Sequence, residues 1–181
     1  MPGERSHAIG REGVLRAKEL LARLLGSNVV LLFNAYDHSD RLTFTDPMAP
    51  RTASFTFDLG GGLRRPNARR FAGEESVALL AEVKSVARGG DLLNDYREFL
   101  RRAAIASSTP ENRQTWFIFL AAVPFGVSEG ARLWDGAFLS ELLPDWPAAI
   151  ASSAAELTER TTVLMATASL ERLLGQWGAT A

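Results

Sequence analysis

The stretch Val77-Ala78-Leu79-Leu80-Ala81-Glu82-Val83-Lys84-Ser85 decides how the rest of the chain is read. It opens as an apolar run and then sets an acid and a base two positions apart. In a β-strand, residues i and i+2 project from the same face, so the Glu82 carboxylate and the Lys84 ammonium emerge side by side from a segment that otherwise reads as buried. Two charges in that setting are costly unless they pair with each other, with a metal or with an anionic ligand. Of the 20 lysines and arginines in the chain, only Lys18 and Lys84 are lysines. A lysine kept where arginine is the rule makes Glu82 and Lys84 candidate site residues.

The 181 residues are 46% hydrophobic and 23% charged, which predicts one soluble globular domain over 1–181, led in by a flexible segment at 1–10. With no cysteine there is no disulfide framework, thiolate zinc site, iron-sulfur cluster or cysteine nucleophile. His7 and His38 are the only histidines, so a metal would sit on carboxylate oxygens as a hard cation. The start Met1-Pro2-Gly3-Glu4-Arg5-Ser6-His7 is polar, and no later run approaches the roughly 20 apolar residues of a membrane span. A cytoplasmic protein with no membrane partner is the expectation. The net charge of −1 argues against a protein that coats nucleic acid by bulk electrostatics. Arginine is nonetheless clustered, at Arg64, Arg65, Arg69 and Arg70 and again at Arg97, Arg101 and Arg102.

Periodicity supplies the elements around the opening stretch. Residues 11–25 read as an amphipathic helix with Gly26 as its stop, and 28–33 as a short strand. A polar, turn-rich passage follows around Asp37-His38-Ser39-Asp40 and Asp46-Pro47. Ser54-Phe55-Thr56-Phe57-Asp58-Leu59 alternates polar with apolar and meets Gly60-Gly61-Gly62, which predicts a strand ending at an acid and a flexible glycine exit. The arginine-bearing connection 63–73 then leads into the Glu82 strand. After it, Asp91 is a helix cap, and Leu92, Leu93, Tyr96, Phe99, Leu100 and Ala103 mark a helix whose other face carries Asn94, Arg97 and Arg101. Thr115 to Val123 is apolar enough for a fully buried parallel strand. Helices over 131–143 and 148–159, a strand over 161–166 and a helix over 169–177 complete the chain. The fold class is α/β, a central mixed sheet flanked by helices.

If the strands ending at Asp58 and at Glu82-Val83-Lys84 are neighbours, both acids meet at one end of the sheet beside Lys84. Converging carboxylates with few rival ligands suit Mg²⁺ or Mn²⁺, which keep waters and accept phosphate oxygens. Lys84 would orient or deprotonate the attacking water and stabilise charge in the transition state. Those are the parts of a phosphodiester hydrolase.

In these residues the chain resembles the restriction-endonuclease-like, or PD-(D/E)xK, nuclease superfamily. The matching motifs are Glu12 in Gly10-Arg11-Glu12-Gly13 on a leading helix, the acid in Phe57-Asp58-Leu59, and Glu82-Val83-Lys84 followed by a helix, in the family's order. No proline precedes Asp58, and Asn94 and Arg97 stand on the following helix in place of a Gln-x-x-x-Tyr motif. The resemblance implies a single restriction-endonuclease-like domain acting as a Mg²⁺- or Mn²⁺-dependent endonuclease on nucleic acid, DNA in preference to RNA. It implies that Asp58, Glu82 and the Val83 carbonyl hold the metal, with Glu12 added to the shell, and that Lys84 assists the water. Arg64, Arg65, Arg69 and Arg70, hanging over the acids, and Asn94, Arg97 and Arg101 on the helix would grip phosphates. A homodimer or a larger protein complex is compatible with this.

Each motif has a plainer alternative. Glu-x-Lys can be a structural ion pair, Glu12 can answer the helix macrodipole alone, and the arginines can be a solvated loop. Two rival functions follow: a catalytically inactive subunit of the same fold serving DNA binding or assembly, and an unrelated α/β protein that binds a small anion through its arginines.

Overall fold

Val14, Ala17, Leu20 and Leu21 recur every three or four residues and are all buried, so the first helix, α1 (Pro2–Leu25), lays one stripe on the sheet. Gly26 ends it with a φ of 51°, a conformation open to glycine at little cost. The computed structural model describes residues 2–47, 49, 51, 53–64, 76–84, 92–112, 114–121, 157 and 160–165. After α1 come β1 (Val29–Asn34), α2 (Ala35–Leu42), β2 (Thr43–Asp46), β3 (Ala53–Thr56), β4 (Leu59–Arg64), β5 (Ser76–Lys84), α3 (Leu92–Ser107), β6 (Trp116–Ala121) and β7 (Thr161–Met165).

Five strands form one mixed sheet in the order β1-β4-β5-β6-β7, while β2 and β3 pair as a separate hairpin. The β1–β4 and β4–β5 pairs are antiparallel. The β5–β6 and β6–β7 pairs are parallel, and α3 lies within the crossover that parallel pairing of β5 with β6 requires. Alternation along each strand sorts the core into two layers. Leu59, Leu79, Ala81, Ile118 and Leu120 meet α1 on one face. Leu80, Phe117, Phe119 and Ala121 meet Tyr96, Phe99 and Ala103 of α3 on the other, where Phe55 and Phe57 add an aromatic cluster. Among the described residues no helix is long and apolar enough to cross a membrane.

The α/β class, the Glu82 strand, the α3 helix, the parallel strand β6 and the presence of the strand β7 agree with the sequence reading. Four features differ. The first helix begins at Pro2 and takes in most of the segment expected to be a flexible lead. The passage after β1 is a helix, α2, because Asn34 caps it by accepting the Asp37 N–H. The expected strand through Asp58 stops at Thr56, and Asp58 stands before a new strand and not at the end of an old one. The three glycines are therefore no hinge but the start of β4, paired on both sides. The cap at Asp91, the helices expected over 131–143 and 169–177, and all but Leu157 of the one expected over 148–159 lie outside the described residues.

Glycine in a central strand has a local cause. A Cβ on Gly61 would stand 2.1 Å from the Leu31 carbonyl oxygen, and one on Gly60 would stand 2.4 Å from Leu42 Cδ2 and 3.0 Å from the Phe33 ring. Neighbouring atoms thus fill the space that β4 side chains would occupy. We expect Gly61→Ala to destabilise the fold by about 3 kcal/mol, since the obstacle is backbone. Gly62→Ala, with nothing among the described residues nearer than 3.6 Å, should be tolerated. Urea unfolding of both variants checks the contrast.

Candidate functional site

Asp58 is fixed by its backbone before its side chain is considered. The Phe57 N–H donates to the Leu42 carbonyl at 3.0 Å, and the Asp58 carbonyl accepts from the Ala35 N–H at 2.9 Å. The pairing of Leu59 with Ala81 then carries Asp58 to the end of β5 where Glu82 stands. There Asp58 Oδ2 accepts the Val83 N–H at 2.8 Å, so a carboxylate extends the ladder one rung beyond the end of β4. Asp58, Glu82, Val83 and Lys84, singled out from the sequence, come together as the sequence suggested. Val83 makes its visible contribution through its N–H.

Glu82 is only 6% exposed and projects to the α3 side of the sheet, as its neighbour Leu80 does. Its Oε1 contacts Lys84 Nζ at 3.1 Å and Arg102 Nη1 at 3.5 Å. Its Oε2 is buried with no hydrogen-bond partner among the described residues. An acceptor oxygen of a buried carboxylate left unmatched is expensive and calls for an explanation. Lys84 is shared, its Nζ also lying 3.3 Å from Asp95 Oδ1 on α3. Arg102 is shared too, its Nε donating to Glu98 Oε1 at 3.1 Å.

The electrostatics follow from this crowding. Burial, and then the charge of Glu82, push the Asp58 carboxyl up to about 7, against the smaller opposing pulls of the Val83 N–H, Lys84 and Arg102. Burial acts to lower the Lys84 pKa, but the charge and hydrogen bond of Glu82, joined by Asp95, outweigh it and raise the pKa above its ordinary value. Lys84 is thus an ammonium at neutral pH, suited to hold or neutralise an anion and not to take a proton from water. That narrows the double role read from the sequence.

The other expected residues are placed differently. Glu12 is exposed on α1 and bonded to Arg16 at 2.6 Å, and α1 packs on the sheet face opposite Glu82. Among the described residues no third His, Cys, Asp or Glu joins the pair as a metal-holding group. Arg64 is paired with Ser76 at the far end of β4 from Asp58, about 20 Å away at about 3.4 Å per residue. The connection it opens therefore starts at the end of the hairpin remote from the acids, because Asp58 precedes its strand and does not end it. Arg65, Arg69 and Arg70 lie outside the described residues. Arg101 is committed to Asp46 at 2.7 Å and to Glu98 at 2.9 Å. Asn94 is exposed and Arg97 half-buried, neither in contact with the acids in any bond or ion pair seen among the described residues.

Asp95, Glu98 and Arg102 were not picked out from the sequence as site residues. Their spacing of three and four along α3 puts them on one face, which is the available signal, but only docking of that face over Glu82 gives it meaning. Comparison with protein-family models, with curated proteins and with solved structures gave no match to this chain.

Proposed function

We propose that this protein is a metal-dependent nuclease that hydrolyses phosphodiester bonds of nucleic acid, DNA in preference to RNA, as the resemblance to the PD-(D/E)xK superfamily implies. The observation that carries the reading is the juxtaposition of Glu82 Oε2, buried and without a hydrogen-bond partner among the described residues, with an Asp58 carboxyl that burial and the Glu82 charge together hold partly protonated. Both features are what two acids arranged for a hard cation look like without it, since a divalent ion would satisfy the orphaned oxygen and relieve the repulsion. Asp58 and Glu82 fit as the carboxylates of a Mg²⁺ or Mn²⁺ site whose remaining positions are open to water and phosphate oxygens. A bound ion of this kind supplies an activated water and offsets charge on the phosphate.

The chain's own residues do the rest. Glu82 on β5 and Asp58 immediately before β4, tied to the Val83 N–H, fix the position of the reacting centre. Lys84, kept charged beside Glu82, orients the water and stabilises negative charge as it develops on the phosphoryl oxygens. Arg102 neutralises Glu82 from the α3 side and holds its Oε1, which leaves Oε2 for the cation.

Calorimetry with Mn²⁺ on the wild type and Glu82→Gln tests the site. We expect the substitution to weaken binding by about 100-fold or more, beyond the usual effect of outer-shell partners. Equal affinity in the two proteins rejects the metal reading. The rival, an inactive subunit of the same fold, draws support from the absence of a third acid among the described residues. Mn²⁺ binding with no cleavage of labelled duplex or single strand at any metal concentration would favour it.

A further inference from the structure

Lys84 has two seats. Its ammonium lies 3.1 Å from Glu82 Oε1 and 3.3 Å from Asp95 Oδ1, so one cation bridges the end of β5 and the first turn of α3. Asp95 makes no contact with Glu82 or Asp58 in any bond or ion pair seen among the described residues; its link to the acids runs through Lys84. It also differs from Glu98 on the same face, which is taken up by both Arg101 and Arg102. In the structure as it stands, Lys84 and Arg102 supply the positive charge at Glu82 that a divalent cation would otherwise bring.

A second positive charge arriving at Glu82 repels Lys84. Like charges within a few ångströms of each other in a partly buried site repel strongly, so an ammonium held only by Glu82 would oppose the metal. A carboxylate within reach that is not itself a ligand removes that opposition without letting the ammonium drift from the site.

We infer that Asp95 is a positioning residue that receives the Lys84 ammonium when Glu82 turns to a divalent cation, so that metal entry and placement of the catalytic lysine are one event. This rests on the metal reading above and adds to it a residue and an order. Lys84 moves by a small swing from a shared position to an Asp95-held one. It is then beside the cation, where a water or a phosphoryl oxygen would lie. The α3 helix therefore acts in the site although it supplies none of the metal's carboxylates.

The test is a double-mutant cycle on Mn²⁺ affinity, measured by calorimetry on the full chain for wild type, Asp95→Asn, Lys84→Met and the double variant. Asp95→Asn should weaken Mn²⁺ binding about tenfold, within the range of outer-shell effects on metal affinity. Lys84→Met should tighten binding, because it removes the competing cation. In the Lys84→Met background, Asp95→Asn should then change affinity less than about twofold, as expected if Asp95 acts only through the lysine. Asp95→Glu, which keeps the acceptor, should restore most of the wild-type affinity, and circular dichroism confirms that each variant is folded. An equal loss in both backgrounds overturns the inference, because Asp95 would then act on the cation directly through its charge. No loss in the wild-type background overturns it as well. A wild type that binds no Mn²⁺ overturns the metal reading itself, and this inference with it.

Discussion

Lys84→Ala is expected to lower the rate of DNA cleavage by roughly 10³-fold while Mn²⁺ still binds, the range associated with losing one preorganised transition-state contact. The reason lies in what Lys84 touches. It is half-buried, it stays charged, and its ammonium sits beside the acid pair without being a metal ligand. Lys84→Arg should not rescue the activity, because a planar guanidinium does not replace a compact ammonium between two carboxylates. Single-turnover cleavage of a labelled duplex at saturating Mn²⁺ separates this from weaker metal binding. Full activity in either variant refutes the role.

The second large effect concerns stability and has the opposite sign. Asp58→Asn should abolish Mn²⁺ binding yet stabilise the metal-free fold at pH 8, by on the order of 4 kcal/mol if the full displacement of the Asp58 carboxyl is relieved. With a folded pKa of about 7 against a model value of 3.8, the native state holds more protons than the unfolded chain in between. The contribution of Asp58 to stability is therefore full below about pH 4, falls as the pH rises toward 7, and is level beyond. Asparagine removes that slope, and its carbonyl can still accept the Val83 N–H. Urea denaturation of both proteins in chelator from pH 4 to pH 8 measures the difference. Parallel curves would show that burial and the Glu82 charge do not raise the Asp58 carboxyl.

The acid pair was legible because its geometry is set by the shortest-range rules. Glu82 and Lys84 share a face because a strand alternates, and Asp58 reaches them because β4 and β5 pair antiparallel at the register Leu59 to Ala81. Three glycines in a row hid the strand itself. Their signal is that of a loop, and only the approach of Leu31, Leu42 and Phe33 to β4 explains why side chains are missing there. That error reversed the expected direction of the hairpin, and Arg64 went with it to the wrong end of the sheet. Arg101 looked like a ligand for phosphate because its partner Asp46 lies far away in sequence, on the β2–β3 hairpin. Asp95 had no local mark and Arg102 only that of the arginine cluster it belongs to, since a polar face on an amphipathic helix is ordinary until something is docked beneath it.

The rung formed by Asp58 Oδ2 and the Val83 N–H has a kinetic consequence. Every other described link between β4 and β5 is backbone to backbone and can open only if the strands part. This one ends on a side chain and can open by rotation of the Asp58 carboxyl alone. The Val83 amide is thus a natural reporter whose solvent exchange follows the carboxyl's attachment independently of global unfolding, on a time base that fraying at this end of the sheet would set. Whatever draws Asp58 toward Glu82 or away from it is written in the lifetime of that single proton.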